Sequence, residues 1–328
     1  MNLSTVAPNW RAATQAIQQS ERVLIASHIH PDGDAIGSML ALGLYLRQQG
    51  KDVDLAVDGG LPNHLSFLEG SAAISDMPKP GNWDLFISVD SSDEARTGNS
   101  GALGRASAAK VLNIDHHTTN TQFGDVQLVI PAAVSTTEII YLWLQEMNAH
   151  FTQPIAQALL TGLTTDTQGY RTDNVTAETL TIAKHLMELG ASLSLIFQQT
   201  LNTRSYASVL LWQRVMPAIQ LQDGVIFTCI RHDDWQESGI APNQDGGLVN
   251  YLLQVNEAKI AALFSEISAG EIKIEFRSVS GYDVAQIASS LGGGGHQQAS
   301  GTTLHCSIEE AIDQVIPLLR AEAESGNT

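Results

Sequence analysis

Cysteine is nearly absent. Cys229 and Cys306 are the only two among 328 residues, and they form no Cys-x-x-Cys pair. This excludes a disulfide framework and a cysteine-ligated zinc site, and it fits a reducing, cytoplasmic compartment. Basic residues are scarce as well: 17 Lys and Arg stand against 35 Asp and Glu, for a formal net charge of −18. A chain so acidic lacks the basic face that sequence-independent binding to duplex nucleic acid requires. A short phosphorylated substrate stays open, because cations held by clustered acids reverse the local field. No apolar run reaches the length of a membrane span. The amino-terminal MNLSTVAPNWRAATQ lacks the basic-then-apolar order of a secretory signal. A cytoplasmic protein with no membrane partner is the expectation.

What the chain does have is alternation. Short apolar runs at 23–27, 53–57, 84–89 and 110–114 read as buried strands, and helical spacing occupies 8–20, 33–49, 135–147, 154–163, 176–189, 192–200 and 203–214. Ser135 and Glu138 have capping-box spacing. Residues 59–83 are loop-rich, punctuated by Pro62, Pro78, Pro80 and Gly81. Strands alternating with helices up to about residue 170 predict βαβ units, an α/β fold with a mainly parallel sheet. Beyond 215 the pattern changes. Hairpins are expected around Asp223-Gly224 and Ala269-Gly270, followed by a helix at 283–291, a glycine-rich turn, a strand near 301–306 and a helix at 308–323. The expected organisation is a first domain over 1–189, a helical linker over 190–214 and a smaller α+β domain over 215–328.

The chemistry lies where the strands end. The first strand runs into His28-Ile29-His30-Pro31-Asp32-Gly33-Asp34, Asp90 closes the third, Asp115-His116-His117 closes the fourth, and Asp166 follows an apolar helix. Ligands gather at the carboxyl ends of strands in open α/β sheets. Any one of these residues alone reads as a turn former, helix cap or hydrogen-bonded core histidine. Together, in order, they offer imidazole and carboxylate donors without thiolate, a set that suits manganese, magnesium or zinc.

The four segments resemble those of the DHH phosphoesterase superfamily, which includes RecJ-type nucleases and manganese inorganic pyrophosphatases. The resemblance implies two divalent metal ions, most simply Mn2+ with Mg2+ as the alternative. His28, Asp32 and Asp90 would hold one, and Asp34, Asp90, His116 and Asp166 the second, with Asp90 shared. It implies that His117 faces the substrate phosphate and that Asp115 orients the histidines; His30 falls at a variable position of the motif and reads as structural or as a support to the ligands. The implied reaction is two-metal activation of water for in-line displacement at phosphorus.

In the second half, Gly292-Gly293-Gly294-Gly295-His296 and the Ala299-Ser300-Gly301 that follows resemble the DHH-associated carboxyl-terminal domain, and Arg277-Ser278 matches its basic substrate-binding position. The implied substrate contacts are Arg277, Ser278, Gly293, Gly294, Gly295 and His296, across an interdomain cleft, with Arg96 as a further candidate. A flexible loop and an exposed surface arginine are the plain alternatives for the glycines and for Arg277. The glycine-rich motif speaks against pyrophosphatase activity. The compact two-domain form is similar to bifunctional oligoribonucleases (nanoRNases) that are also pAp phosphatases, acting on short single-stranded oligonucleotides and on 3′-phosphoadenosine 5′-phosphate. A linear or cyclic dinucleotide phosphodiesterase is the alternative within the same chemistry, and a non-catalytic nucleotide sensor the alternative outside it. After Asp166 the chain reads Thr167-Gln168-Gly169-Tyr170-Arg171, where many relatives have the glycine directly after the threonine. Apolar faces on helices between about 135 and 189 serve either as core or as the contact of a homodimer.

Overall fold

A computed structural model describes residues 9–79, 81–242 and 244–325. Residues 1–8, which include the first residue of the expected opening helix, lie outside the described residues, as does Pro80 of the expected loop. The chain divides into two compact units, Met1–Thr203 and Arg204–Thr328.

The first unit contains helix α1 (Trp10–Gln18), β1 (Arg22–Ala26), α2 (Gly33–Gln48), β2 (Asp52–Ala56), the short β3 (Ile74–Ser75) and β4 (Leu85–Val89). It continues with α3 (Gly98–Ser107), β5 (Val111–Asp115), β6 (Val126–Val129), α4 (Thr136–Glu146), α5 (Gln153–Asp166), α6 (Ala177–Glu188) and α7 (Leu193–Ile196). The six strands are ordered β3-β2-β1-β4-β5-β6, and each of these pairings is parallel. The central strands β1 and β4 read as near-continuous apolar runs because both faces are covered. Val23, Ile25, Leu85 and Ile87 join the large core under the helices, whereas Leu24, Ala26 and Phe86 join a smaller cluster with Trp83 on the opposite face. The chain leaves β1 toward β2 on one side and returns to β4 on the other. The topological switch point therefore lies between β1 and β4, the place where α/β sheets bind ligands.

Three elements here escaped the sequence reading: α3, β6 and the two-residue β3. The expected helix at 192–200 stops at Ile196 and continues as a π-type turn over Phe197–Leu201. The capping box at α4 is displaced by one residue: Ser135 Oγ accepts from Glu138 N at 3.0 Å, but the Glu138 carboxylate accepts from Val134 N at 2.8 Å. The apolar faces of α4 and α5 are core, while α6 leaves Leu180 and Met187 exposed. Among the described residues no single helix is long and apolar enough to cross a membrane.

The second unit comprises α8 (Tyr206–Val215), β7 (Gln220–Gln222), β8 (Val225–Ile230), α9 (His232–Ser238), α10 (Leu248–Leu252), β9 (Ile260–Ser268) and β10 (Glu271–Ser278). It ends with α11 (Val284–Ser290), β11 (Gly294–His296), β12 (Ala299–Leu304) and α12 (Ile308–Ser325). Its sheet runs β11-β12-β10-β9-β8-β7, antiparallel except for the parallel β8–β9 pair. Both expected hairpins form. The glycine-rich stretch is not a turn: Gly294–His296 is a strand hydrogen-bonded to β12. Helices α9 and α10 were not anticipated. One face of the sheet packs Ile272, Ile274 and Phe276 with residues of α11 and α12, and the other packs Ala261 and Leu263 with residues of α8, α9 and α10.

Candidate active site

In the first unit the sequence-distant donors converge at the carboxyl ends of β1, β4 and β5. Asp90 is buried and adopts a left-handed backbone, φ 55°, uncommon for a residue other than glycine and typical of strained functional positions. One of its oxygens stands 3.6 Å from His28 Nε2, and the other 3.7 Å from His116 Nε2. His116 Nε2 is also 3.5 Å from Asp166 Oδ2. Among the described residues of the first unit, donor atoms within 4.8 Å of one another define three groups: His28, Asp32 and Asp90; Asp34, Asp90 and His116; Asp90, Asp115 and His117. Asp90 belongs to all three.

The histidines are aimed by their other nitrogens. His28 Nδ1 donates to the Ile29 carbonyl at 2.9 Å and His116 Nδ1 to that of Ala133 at 3.4 Å, so both present Nε2 to the carboxylates. His117 is turned the other way: Nδ1 donates to Asp115 Oδ1 at 2.7 Å, and Asn120 Nδ2 donates to Asp115 Oδ2 at 2.6 Å. Asp32 is the N-cap of α2, its Oδ1 accepting from Asp34 N and Ala35 N at 2.9 and 3.0 Å. The helix-cap reading of Asp32 is thus correct in itself, and its carboxylate still faces His28 and Asp90.

Asp34 is fixed by residues the sequence reading missed. The first turn of α4 donates Thr136 N to Oδ2 at 2.7 Å and Thr137 N and Oγ1 to Oδ1 at 3.0 and 2.7 Å. Thr136 Oγ1 donates to Asp90 Oδ1 at 3.0 Å. A helix amino terminus supplies unpaired N–H groups and a positive dipole end to an anion, here a side chain of the same protein. The spacing of Ser135 and Glu138 marks a cap, but nothing local to it points at Asp34. Close approach of α5 completes the pocket: a Cβ on Gly162 would lie 2.5 Å from Asp34 Oδ1, and one on Gly33 2.3 Å from Thr165 Oγ1.

This donor set fits divalent cations. Carboxylates buried this close together cannot all ionise unaided. Burial and the neighbouring Asp90 push the Asp34 carboxyl up to about 7, and burial with Asp34, Asp32 and Asp90 raises Asp166 well above the usual carboxylate range. Burial would raise Asp90 too, but the imidazoles of His28, His116 and His117 hold it far below that range. Burial opposes charge on His28, yet Asp90 and Asp32 lift it to about 9. The His–Asp separations of 3.5–3.7 Å exceed a good hydrogen bond. They are close to the roughly 3.0–3.5 Å that separates neighbouring ligands of one small divalent ion. His30, in contrast, is an exposed turn residue with φ 59°. Arg96 is exposed, and its carbonyl accepts from Ile29 N at 2.7 Å, which brings its loop beside His28.

In the second unit Arg277 pairs with Ala299 on β12, and Ala299 pairs with His296 on β11. Residues directly opposite one another share a face, so Arg277 and His296 flank the small Ala299 in one row. Arg277 also pairs with Ala261, which puts this row on the side covered by α8, α9 and α10. Arg277 Nη1 donates to the Phe276 carbonyl at 2.8 Å and Nε to Asn250 Oδ1 at 3.0 Å. Ser278 faces the other way, its hydroxyl donating to the Tyr282 carbonyl at 3.1 Å within the core. That hydroxyl holds the strand end and is not in the row. Gly293 has a packing reason to be glycine, since a Cβ would lie 2.1 Å from the Gly301 carbonyl oxygen, and at Gly295 one would lie 2.6 Å from that of Ala299. Gly294 has none: a Cβ there meets nothing within 4 Å.

A parallel sheet gathering imidazoles and carboxylates at its switch point defines an α/β protein with a candidate metal site. Comparison with known proteins gives the family. The profile described as "DHH family, N-terminal domain" matches residues 22–163, and that of the "DHHA1 domain" matches residues 222–325. The bifunctional oligoribonuclease and PAP phosphatase NrnA of Thermus thermophilus is 30% identical over 92% of this chain and 90% of its own length. The protein of the same description from Bacillus subtilis is 27% identical over 90% and 93%. An exopolyphosphatase-related protein from Bacteroides fragilis has the same fold, with a TM-score of 0.88, 24% identity and coverage of 96% of this chain and 97% of the other. The chain belongs to the DHH phosphoesterase family, in the form that joins a DHH domain to a DHHA1 domain.

Proposed function

We propose that this protein is a metal-dependent phosphoesterase that hydrolyses short oligonucleotides and removes the 3′-phosphate of 3′-phosphoadenosine 5′-phosphate. One observation carries the reading: a single buried carboxylate, Asp90, is shared by two groups of donors, His28 with Asp32 and Asp34 with His116. The donor set would hold two divalent ions, Mn2+ by preference, with Asp166 completing the second site beside His116. Such a pair activates water and stabilises charge on the attacking and leaving oxygens at phosphorus.

The protein's own residues then have distinct tasks. Asp90 joins the two sites. Thr136 and Thr137 keep Asp34 and Asp90 fixed through hydrogen bonds. His117, held by Asp115 and with its pKa raised, against the effect of burial, chiefly by that hydrogen bond, offers a proton-bearing group to a phosphate oxygen. Arg277, His296 and the amide at Gly294 bind a substrate phosphate, and Arg96 is a further phosphate contact. The two relatives are each named for oligoribonuclease and PAP phosphatase activity. A cytoplasmic setting goes with two free cysteines and short nucleotide substrates.

The test is release of phosphate from pAp and of mononucleotides from RNAs two to five residues long, in Mn2+ and in chelator, with a cyclic dinucleotide alongside. Metal-dependent turnover of the first two is expected. Turnover of the cyclic dinucleotide alone would replace this reading with the dinucleotide phosphodiesterase one.

A further inference from the structure

Beside Arg277 the second unit carries an aromatic wall. Trp212 on α8 and Tyr251 on α10 pack with ring centroids 5.1 Å apart and planes tilted by 38°. The Arg204 guanidinium lies 5.0 Å from the Trp212 ring centroid. This assembly is anchored: Trp212 Nε1 donates to the Asp245 carbonyl at 2.6 Å, and Arg204 Nε to the Gly246 carbonyl at 2.9 Å. Tyr251 nevertheless keeps 44% of its surface exposed. The residue before it, Asn250, accepts the hydrogen bond from Arg277 Nε. Two consecutive residues of one helix thus touch the aromatic wall and the phosphate-binding arginine.

We infer that Tyr251, backed by Trp212, is a stacking platform for a nucleobase of the oligonucleotide whose phosphate Arg277 binds, and that Asn250 positions Arg277. The inference rests on the function proposed above and adds what that function lacks. A chain with net charge −18 draws no affinity for a polyanion from its overall charge. Stacking supplies affinity without charge, and it accepts every base because each has a π-face. An exposed tyrosine with a fixed indole behind it presents such a face at small entropic cost.

The experiment uses the full-length protein and a dinucleotide bearing 2-aminopurine, whose fluorescence is quenched by stacking. Binding is read in chelator, where no turnover occurs. The wild type and Tyr251→Trp are expected to quench it, and Tyr251→Leu, which keeps apolar contact with Trp212 but has no π-face, is not. In Mn2+, Tyr251→Leu is expected to raise KM for an ordinary dinucleotide roughly five- to 150-fold, the worth of one base–aromatic stack. Its kcat should be little changed, and KM for the same compound with an abasic ribose should move less than about twofold. Equal losses on both substrates, or undiminished quenching in Tyr251→Leu, would overturn the inference. Tyrosine-dependent quenching by a wild type that hydrolyses no oligonucleotide would uphold the platform and reject the proposed activity, so the two failures are distinct.

Discussion

Thr137 grips one oxygen of Asp34 twice: its backbone N–H and its hydroxyl donate to Oδ1 at 3.0 and 2.7 Å. Thr137→Val keeps the shape and the backbone bond but removes the hydroxyl donor from a buried carboxylate. Residues that orient metal ligands in this way are commonly worth 10- to 100-fold in metal affinity. Calorimetric titration with Mn2+ should show a loss of about that size with the fold intact. Unchanged affinity would mean that Asp34 is held well enough by the α4 amides alone.

The convergence of the four segments was legible because imidazoles and carboxylates at strand ends have few uses in common. Thr136, Thr137 and Asn120 were not, because they are ordinary polar residues whose partners lie far away in sequence; Thr137 and Asp34 are 103 positions apart. Strand β6 hid because it is a half-buried edge, and α3 because its sequence, Gly-Asn-Ser-Gly-Ala-Leu-Gly-Arg-Ala-Ser, has little helical periodicity. The glycine-rich stretch was mistaken for a turn because composition cannot reveal that Gly293 and Gly295 are glycine to let two strands meet.

Gly162→Ala should damage the site from behind. The added Cβ would come within 2.5 Å of Asp34 Oδ1 and 2.4 Å of Thr137 Cγ2. Overpacking of this kind costs about 1–3 kcal/mol. The expected outcome is a lowered Tm together with weakened Mn2+ binding. A lowered Tm with unaltered Mn2+ affinity would show that the helix, and not the Asp34 carboxylate, gives way.

Proton and metal should compete here. In the fold, without an ion, the pKa of Asp34 stands at about 7 against 3.8, and that of His28 at about 9 against 6.5. Both groups bind protons more tightly folded than unfolded. The stability they contribute is therefore complete below their unfolded values and is lost as pH rises through about 7 and then about 9. In chelator, Tm should fall between pH 6 and pH 9. With saturating Mn2+ the fall should shrink or reverse, since an ion takes the place of the protons and binds more tightly as they leave. Parallel Tm curves with and without Mn2+ would contradict this.

Asp115→Asn tests the aim and charge of His117. The variant keeps a side-chain carbonyl for His117 Nδ1 but loses the carboxylate whose hydrogen bond and charge raise the imidazole pKa. The alkaline limb of the pH–rate profile should move to lower pH, and kcat should drop by the roughly 10²–10⁴ typical of a positioned proton donor. Mn2+ affinity should change much less. A large loss of metal binding would assign His117 to a metal site instead.

Gly293 and Gly294 separate folding from binding within one motif. A Cβ on Gly293 would lie 2.1 Å from the Gly301 carbonyl oxygen, so Gly293→Ala must part β11 from β12 and should lower Tm. At Gly294 a Cβ meets nothing within 4 Å and the strand is exposed, so alanine should leave stability within about 0.5 kcal/mol, as at other open surface positions. If glycine stands there so that a phosphate can approach the backbone, Gly294→Ala should raise KM for pAp several-fold at unchanged Tm. If KM is unchanged as well, the amide at 294 is not a substrate contact.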